Sequence, residues 1–316
     1  MARQTKHRSK RRDLYQEVTD KIIAELEEGR AAWAQPWGGA CAAVGLPKNG
    51  STGRAYSGIN ILLLWGAAIE DARSCQTWLT FKQALALGGC VRRGERGATV
   101  VYADRFTPKA EREKARQTGE DAKQVAFLKR YTVFNADQCD GLPDGFARDL
   151  PLPECEIVPR AEALIEATGA DFRIGGDKAF YVPSRDFIQV PPQPAFFDQI
   201  NYYRTCFHEL GHWTGHASRL DRDLRTNKGT KDYAREELIA EMTSAFLCAE
   251  KSITPTVRHT DYVGAWLDVL REDNRAIFRA ASLASKAADF LLAFETPGDT
   301  PDEKTIEDTA AMEVAA

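Results

Sequence analysis

HELGHWTGH, from His208 to His216, is the stretch on which the reading of this chain turns. It holds the pattern H-E-x-x-H inside a segment of helical periodicity. At about 3.6 residues per turn, His208 and His212 project from one helical face, where two ring nitrogens can meet one ion with Glu209 beside them. Zinc hydrolases use this constellation. In that chemistry Glu209 is a base and not a ligand: it takes a proton from the attacking water and passes it to the leaving amine. So short a pattern also arises by chance in ordinary helices, so its surroundings must supply the rest of the site.

A catalytic zinc needs a third protein ligand. Downstream, Glu237-Leu-Ile-Ala-Glu241 places two carboxylates four residues apart, on one face of the next helix. Glu237 is the expected ligand and completes a His2Glu set. Glu241, a turn further on, is expected to accept a hydrogen bond from the remote nitrogen of a ligating histidine. The two glutamates can exchange these roles. His216 competes less well, since on a continuous helix it lies about 12 Å from His208 along the axis, whereas a zinc–nitrogen bond is about 2 Å. The strand around Asp186 to Val190 is expected to offer an edge to an extended substrate. Tyr181, Tyr202 and Tyr203 are candidate donors to the reacting oxygen, but an aromatic near a helix more often belongs to the core.

The chain of 316 residues is 43% hydrophobic, enough for two domains that each bury a core. Its net charge of -4 is unevenly spread: the first dozen residues are basic and the stretch from Asp299 through Glu313 is acidic. Seven scattered cysteines, none in a C-x-x-C pair, fit reduced thiols and offer no thiolate zinc site. No apolar leader is visible, and the longest apolar run, ILLLWGAAI from Ile61, is too short to cross a bilayer. The expectation is a cytoplasmic protein with no membrane contact.

Helices are expected over Asp13 to Glu28, from Ile59, after Thr80 as N-cap, over Arg160 to Thr168, Asp198 to Trp213 and Tyr233 to Ala249, and over Tyr262 to Phe294 with a break near Asp273 or Ser282. Gly94 and Gly97 turn the chain into a strand. PKAEREKARQTGEDAK, with few apolar anchors, reads as an exposed excursion between that strand and its partner FLKRYTVFNADQC. The proline-rich 143–158 reads as a linker. The resulting fold class is α+β in two domains, 13–142 and 159–295, flanked by a basic arm, 1–12, and an acidic tail, 296–316.

Taken together, DLYQEVTDKIIAELEEG, Pro36-Trp37, GLPKN, TGRAYSGINILLLW, WLTFKQALALGGCVRRGERG and YTVFNADQC closely resemble the amino-terminal domain of the plasmid antirestriction protein ArdC family. HELGHWTGHASRLDR and YAREELIAEMTSAFL resemble the metallopeptidase-like domain that follows in that family. The resemblance implies a first domain that binds single-stranded DNA, a zincin-like second domain holding Zn2+ or another divalent metal such as Mn2+, and a mobile element that protects its DNA from restriction. Its protein substrate is not named by the sequence. Binding a single strand requires a cationic groove and aromatic faces for the bases. Arg54, Tyr56, Lys82, Arg92, Arg93 and Arg96 are the candidates, while tryptophans such as Trp33, Trp65 and Trp78 suit a core better. Alternative readings are a DNA-binding shield or primase-associated protein whose metal site is structural or inactive, and a metallopeptidase that cleaves a repressor.

Overall fold

The computed structural model describes residues 13–31, 33, 45–119, 121–122, 124–143, 154–224, 229–254 and 262–295. The basic arm, the acidic tail, Pro36-Trp37 and most of the expected linker lie outside them. Asp13 caps the first helix, α1 (Leu14–Glu27), by accepting from the Tyr15 amide. The chain continues through β1 (Lys48–Asn49), α2 (Ile59–Glu70), β2 (Thr77–Leu79) and α3 (Phe81–Ala86), where Thr80 and Gln83 form a reciprocal capping box. β3 (Cys90–Val91), β4 (Ala98–Phe106), α4 (Lys109–Thr118), β5 (Val125–Asn135) and β6 (Cys139–Asp140) complete this half. Its main sheet has the order β1-β2-β5-β4, with β4 and β5 antiparallel over their length.

The charged excursion is in fact the helix α4. Its Ala, Glu, Lys and Arg residues are good helix formers, and Gly119 ends it in the left-handed conformation at φ 74°. Few apolar anchors mean weak tertiary docking, which is a separate matter from local helix formation. A second difference lies at the linker, where α5 (Glu154–Ala167) begins ahead of the expected Arg160 and carries Pro159 inside it.

The second half places β7 (Asp171–Ile174), β8 (Phe180–Val182) and β9 (Phe187–Val190) in a sheet of order β7-β9-β8. Beside it run α6 (Ile200–Trp213), α7 (Lys231–Glu250), α8 (Val263–Glu272) and α9 (Ala276–Leu292). β9 is therefore central. Both its edges are taken by β7 and β8, so the strand around Asp186 to Val190 cannot receive a substrate backbone, contrary to expectation.

The two halves share most of one core, beside a smaller cluster that belongs to the first half alone. α2 is apolar on nearly every side. Leu64 and Ala68 pack with Trp78, Val100 and Val133 of the first sheet, while Ile61, Leu62 and Trp65 join Phe246, Ile277 and Leu291 of the second half. Edge-to-face pairs at 5.7 Å join Trp33 to Trp266 and Trp65 to Phe246. Thr19 Oγ1 donates to the Asn274 carbonyl at 2.7 Å, and the Gly58 amide donates to Ser285 Oγ at 2.8 Å. Burying one such apolar side chain is worth roughly 1.5–3 kcal/mol. Exposing Ile22, Leu26, Trp33, Ile61, Leu62 and Trp65 together would cost about 9–18 kcal/mol, as much as the roughly 5–15 kcal/mol that holds a typical domain. A fragment of residues 13–142 is accordingly expected to lack the near-ultraviolet circular dichroism and cooperative melting of the full chain; cooperative melting of the fragment would refute the shared core.

Among the described residues, no helix is long and apolar enough to cross a membrane.

Candidate metal centre

The centre is built where α6 crosses α7. Gly211, inside the H-E-x-x-H pattern, makes the close crossing feasible: a Cβ there would lie 3.1 Å from Ala240 Cα and 3.3 Å from its carbonyl oxygen. The approach sets the His208 and His212 rings, with centroids 4.9 Å apart, against the acidic face of α7. Glu236, Glu237 and Glu241 are buried, at 7%, 5% and 2% exposure, so this is no solvated helix face and each carboxylate requires a partner.

The partners divide cleanly. Glu237 stands between the two imidazoles, with Oε2 3.5 Å from His208 Nε2 and Oε1 3.5 Å from His212 Nε2. The remote nitrogens face the other two carboxylates: His208 Nδ1 is 3.8 Å from Glu241 Oε1, and His212 Nδ1 is 3.2 Å from Glu236 Oε1. Ligand atoms of His208, His212 and Glu237 all lie within 4.8 Å of one another. Tetrahedral bonds of roughly 2.1 Å put ligand atoms about 3.4 Å apart, close to the two 3.5 Å separations. The residues fit a divalent cation.

Charge points the same way. Burial raises the Glu237 carboxyl, but hydrogen bonds from His208 and His212 outweigh it and hold the group well below the usual carboxylate range. Burial lowers His212, yet Glu236 and Glu237 push it up to about 10. The pocket stabilises positive charge at the point between the rings, whether a proton or a metal brings it.

Glu209 is 6% exposed, and among the described residues no hydrogen bond or ion pair occupies its carboxylate. His216 lies apart. α6 ends at Trp213, the chain folds back through hydrogen bonds from Leu220 N to Thr214 O and from Arg222 N to Gly215 O, and His216 Nδ1 meets Ser218 Oγ at 2.8 Å.

The three candidate tyrosines have other partners. Tyr181 donates to Asp186 Oδ1 at 2.8 Å and accepts from Arg219, and Tyr203 donates to Glu162 at 2.7 Å. Tyr202 stacks edge-on between Phe196 and Tyr203. Instead it is Tyr233, one turn before Glu237 on α7, whose phenol meets both that carboxylate and, at 3.3 Å, Tyr262; its pKa is raised by burial and then by these partners. Sequence reasoning missed Tyr233, Glu236 and Arg222. For Tyr233 a signal existed in its four-residue spacing from Glu237, whereas Glu236 becomes a site residue only through the crossing of α6 and α7, and Arg222 only through the turn that follows α6.

A second concavity, of about 300 Å3, lies in the first half. Arg54 and Tyr56 line it with Tyr102, Lys129, Tyr131 and Val133. Lys82, Arg93 and Arg96 are exposed but do not line it. Arg92 is tied into its own turn, donating to Glu95 at 2.9 Å, to Asp140 at 3.3 Å and to the Asp137 carbonyl. Three of the expected tryptophans, Trp33, Trp65 and Trp78, are fully buried. Lys129 and Tyr131 were not singled out from sequence; strand alternation puts them on one face of β5, but only the fold brings that face to Tyr56.

Comparisons with known proteins follow the same division. Residues 159–283 match a family described as zincin-like metallopeptidase, and residues 12–134 match the N-terminal domain of anti-restriction factor ArdC. The chain is 40% identical over 285 residues to the uncharacterized protein y4eC of Sinorhizobium fredii, covering 88% of this chain and 91% of y4eC. It is 41% identical over 305 residues to DNA primase TraC of Escherichia coli, covering 90% of this chain and 27% of TraC. A metal-free crystal structure of the antirestriction ArdC protein from plasmid R388 is 44% identical and superposes with a TM-score of 0.75, covering 89% of this chain and 97% of that one. The Mn(II)-bound structure of the same protein is 43% identical with a TM-score of 0.73, covering 91% and 100%. Helix crossing, His-His-Glu cluster and end-to-end similarity converge: the chain belongs to the ArdC antirestriction family, with an ArdC N-terminal domain followed by a zincin-like metallopeptidase domain.

Proposed function

We propose that the chain is a single-stranded-DNA-binding antirestriction protein of a mobile element, and that its zincin-like half hydrolyses a protein substrate with zinc as the working metal. The observation that carries the enzymatic half is Glu237 bridging the two Nε2 atoms at 3.5 Å, on the helix crossing that also buries Glu209 of the same motif. His208, His212 and Glu237 would hold the ion, which when bound polarises a substrate carbonyl and makes water a stronger acid. Glu209 then accepts the proton of the attacking water and returns it to the leaving amine. A His2Glu donor set suits Zn2+ and also Mn2+, and the R388 ArdC protein has been crystallised with Mn(II). That protein keeps this fold without metal, which speaks against a purely structural ion. The edge of β8, which no described strand covers and which packs beside α6, suits an extended peptide better than the enclosed β9.

The groove lined by Arg54, Tyr56, Lys129 and Tyr131 offers cationic heads for phosphates and rings for bases. Each stacked base is worth about 1–3 kcal/mol. Tyr131→Ala is therefore expected to weaken binding of an oligo-dT strand by roughly 5–150-fold. Arg92→Ala, in a turn outside the groove, is expected to change it much less; equal effects would reject the groove assignment. The reading as a whole is tested by loading the purified chain with zinc and measuring oligo-dT binding and hydrolysis of a denatured protein substrate, with and without the strand. Absence of hydrolysis under both conditions rejects the protease half, and absence of salt-dependent binding rejects the DNA half.

A further inference from the structure

We infer that Arg222 and Glu236 form a buried positioning pair that sets the orientation of His212, and through it the affinity of the centre for its metal. The inference rests on the metal-site reading of His208, His212 and Glu237.

Glu236 directs Oε1 at His212 Nδ1 from 3.2 Å, on the side of the ring away from Glu237. A ring fixed at Nδ1 presents Nε2 to the ion and cannot rotate away without giving up that contact. Glu236 is itself held: Arg222 donates to its Oε1 at 2.8 Å and to its Oε2 at 3.1 Å, a two-point grip that fixes the carboxylate plane. Both side chains are buried, with 5% and 8% exposure, so neither charge is screened by water.

The same guanidinium also grips the end of the motif helix. Its Nη1 donates to Thr214 Oγ1 at 2.8 Å and its Nη2 to the Gly211 carbonyl at 2.6 Å. Arg222 thus ties the last turn of α6, which carries His212, to the carboxylate on α7 that orients His212. Gly215 leaves room for this return, since a Cβ there would sit 3.0 Å from Arg222 Nη2 and 2.9 Å from Leu224 Cδ2. Because the guanidinium balances the Glu236 charge, the pair steers the ring without adding net charge, while Glu237 faces the ion. Glu236 and Arg222 touch neither ion nor substrate in this arrangement; they act through His212.

The test uses the full chain and two probes, Zn2+ and Mn2+, with dissociation constants measured by chelator competition and fold monitored by near-ultraviolet circular dichroism of metal-free protein. Glu236→Gln removes the charge and is expected to weaken both metals by about 10–100-fold. Since it leaves Arg222 buried without its counter-charge, a second variant joins Arg222→Met to Glu236→Gln and removes both charges together. That double variant is expected to keep the parent's near-ultraviolet spectrum, to lose metal affinity to the same degree, and to show the His212 Nδ1 proton signal shifted upfield in the NMR spectrum of the metal-loaded protein, because a neutral amide oxygen accepts a weaker hydrogen bond than a carboxylate. A folded double variant with parental affinity overturns the inference. So does weak binding accompanied by a lost near-ultraviolet spectrum, which assigns the pair to folding alone. A parent that binds neither metal instead removes the metal-site reading and this inference with it.

Discussion

Glu209→Gln is expected to lower proteolysis by about 10^2–10^4-fold while the chain loads metal and binds single-stranded DNA as the parent does. Glu209 is buried and its carboxylate is not engaged by another described residue, so its replacement disturbs no ion pair among them. Glutamine keeps the shape and loses the ability to accept a proton. Hydrolysis of a fluorescent protein substrate, compared at equal metal content by elemental analysis, reads the change. Parental turnover in the variant would remove Glu209 from the reaction, and an equal loss of metal would make it a ligand.

The second large effect separates the carboxylates of α7. Glu237→Gln is expected to abolish tight metal binding, a larger loss than the roughly 10–100-fold typical when an outer partner of a ligand is removed. Glu241→Gln should fall within that smaller range, because Glu241 faces the remote nitrogen of His208, at 3.8 Å, rather than the Nε2 that meets Glu237. Titration of metal-stripped variants with zinc checks both. The reverse order of severity would exchange the two roles. There is also a cost in the metal-free protein: removing Glu237 takes away one of two carboxylates that hold His212 charged, so the burial that disfavours its charged form is less well offset.

How far these positions could be read in advance depends on how local their causes are. His208 and His212 follow from a four-residue spacing on one helix, and no tertiary contact is needed to put them on one face. Capping is equally local: Asp13 and Thr80 begin their helices through hydrogen bonds to amides two or three residues away. α4 shows the limit of apolar patterning, because its helix rests on intrinsic propensity and a glycine stop rather than on a buried face. Glu237 was identifiable as a candidate, but Glu236 and Glu237 are only about 100° apart around α7, and a choice between their roles needs the direction from which α6 arrives.

By itself the sequence determined the motif helix, the divalent-metal character of its His pair, most helices and the ArdC resemblance, all consequences of spacing within one segment or of motifs in order. Only the tertiary structure decided that β9 is enclosed, that α2 joins both halves in one core, that Lys129 and Tyr131 face Arg54 and Tyr56, and that Arg222 reaches Glu236. The reason is geometric. Which side chains meet across two elements depends on their crossing and separation, and here a missing Cβ at Gly211 and the chain reversal at Gly215 set both.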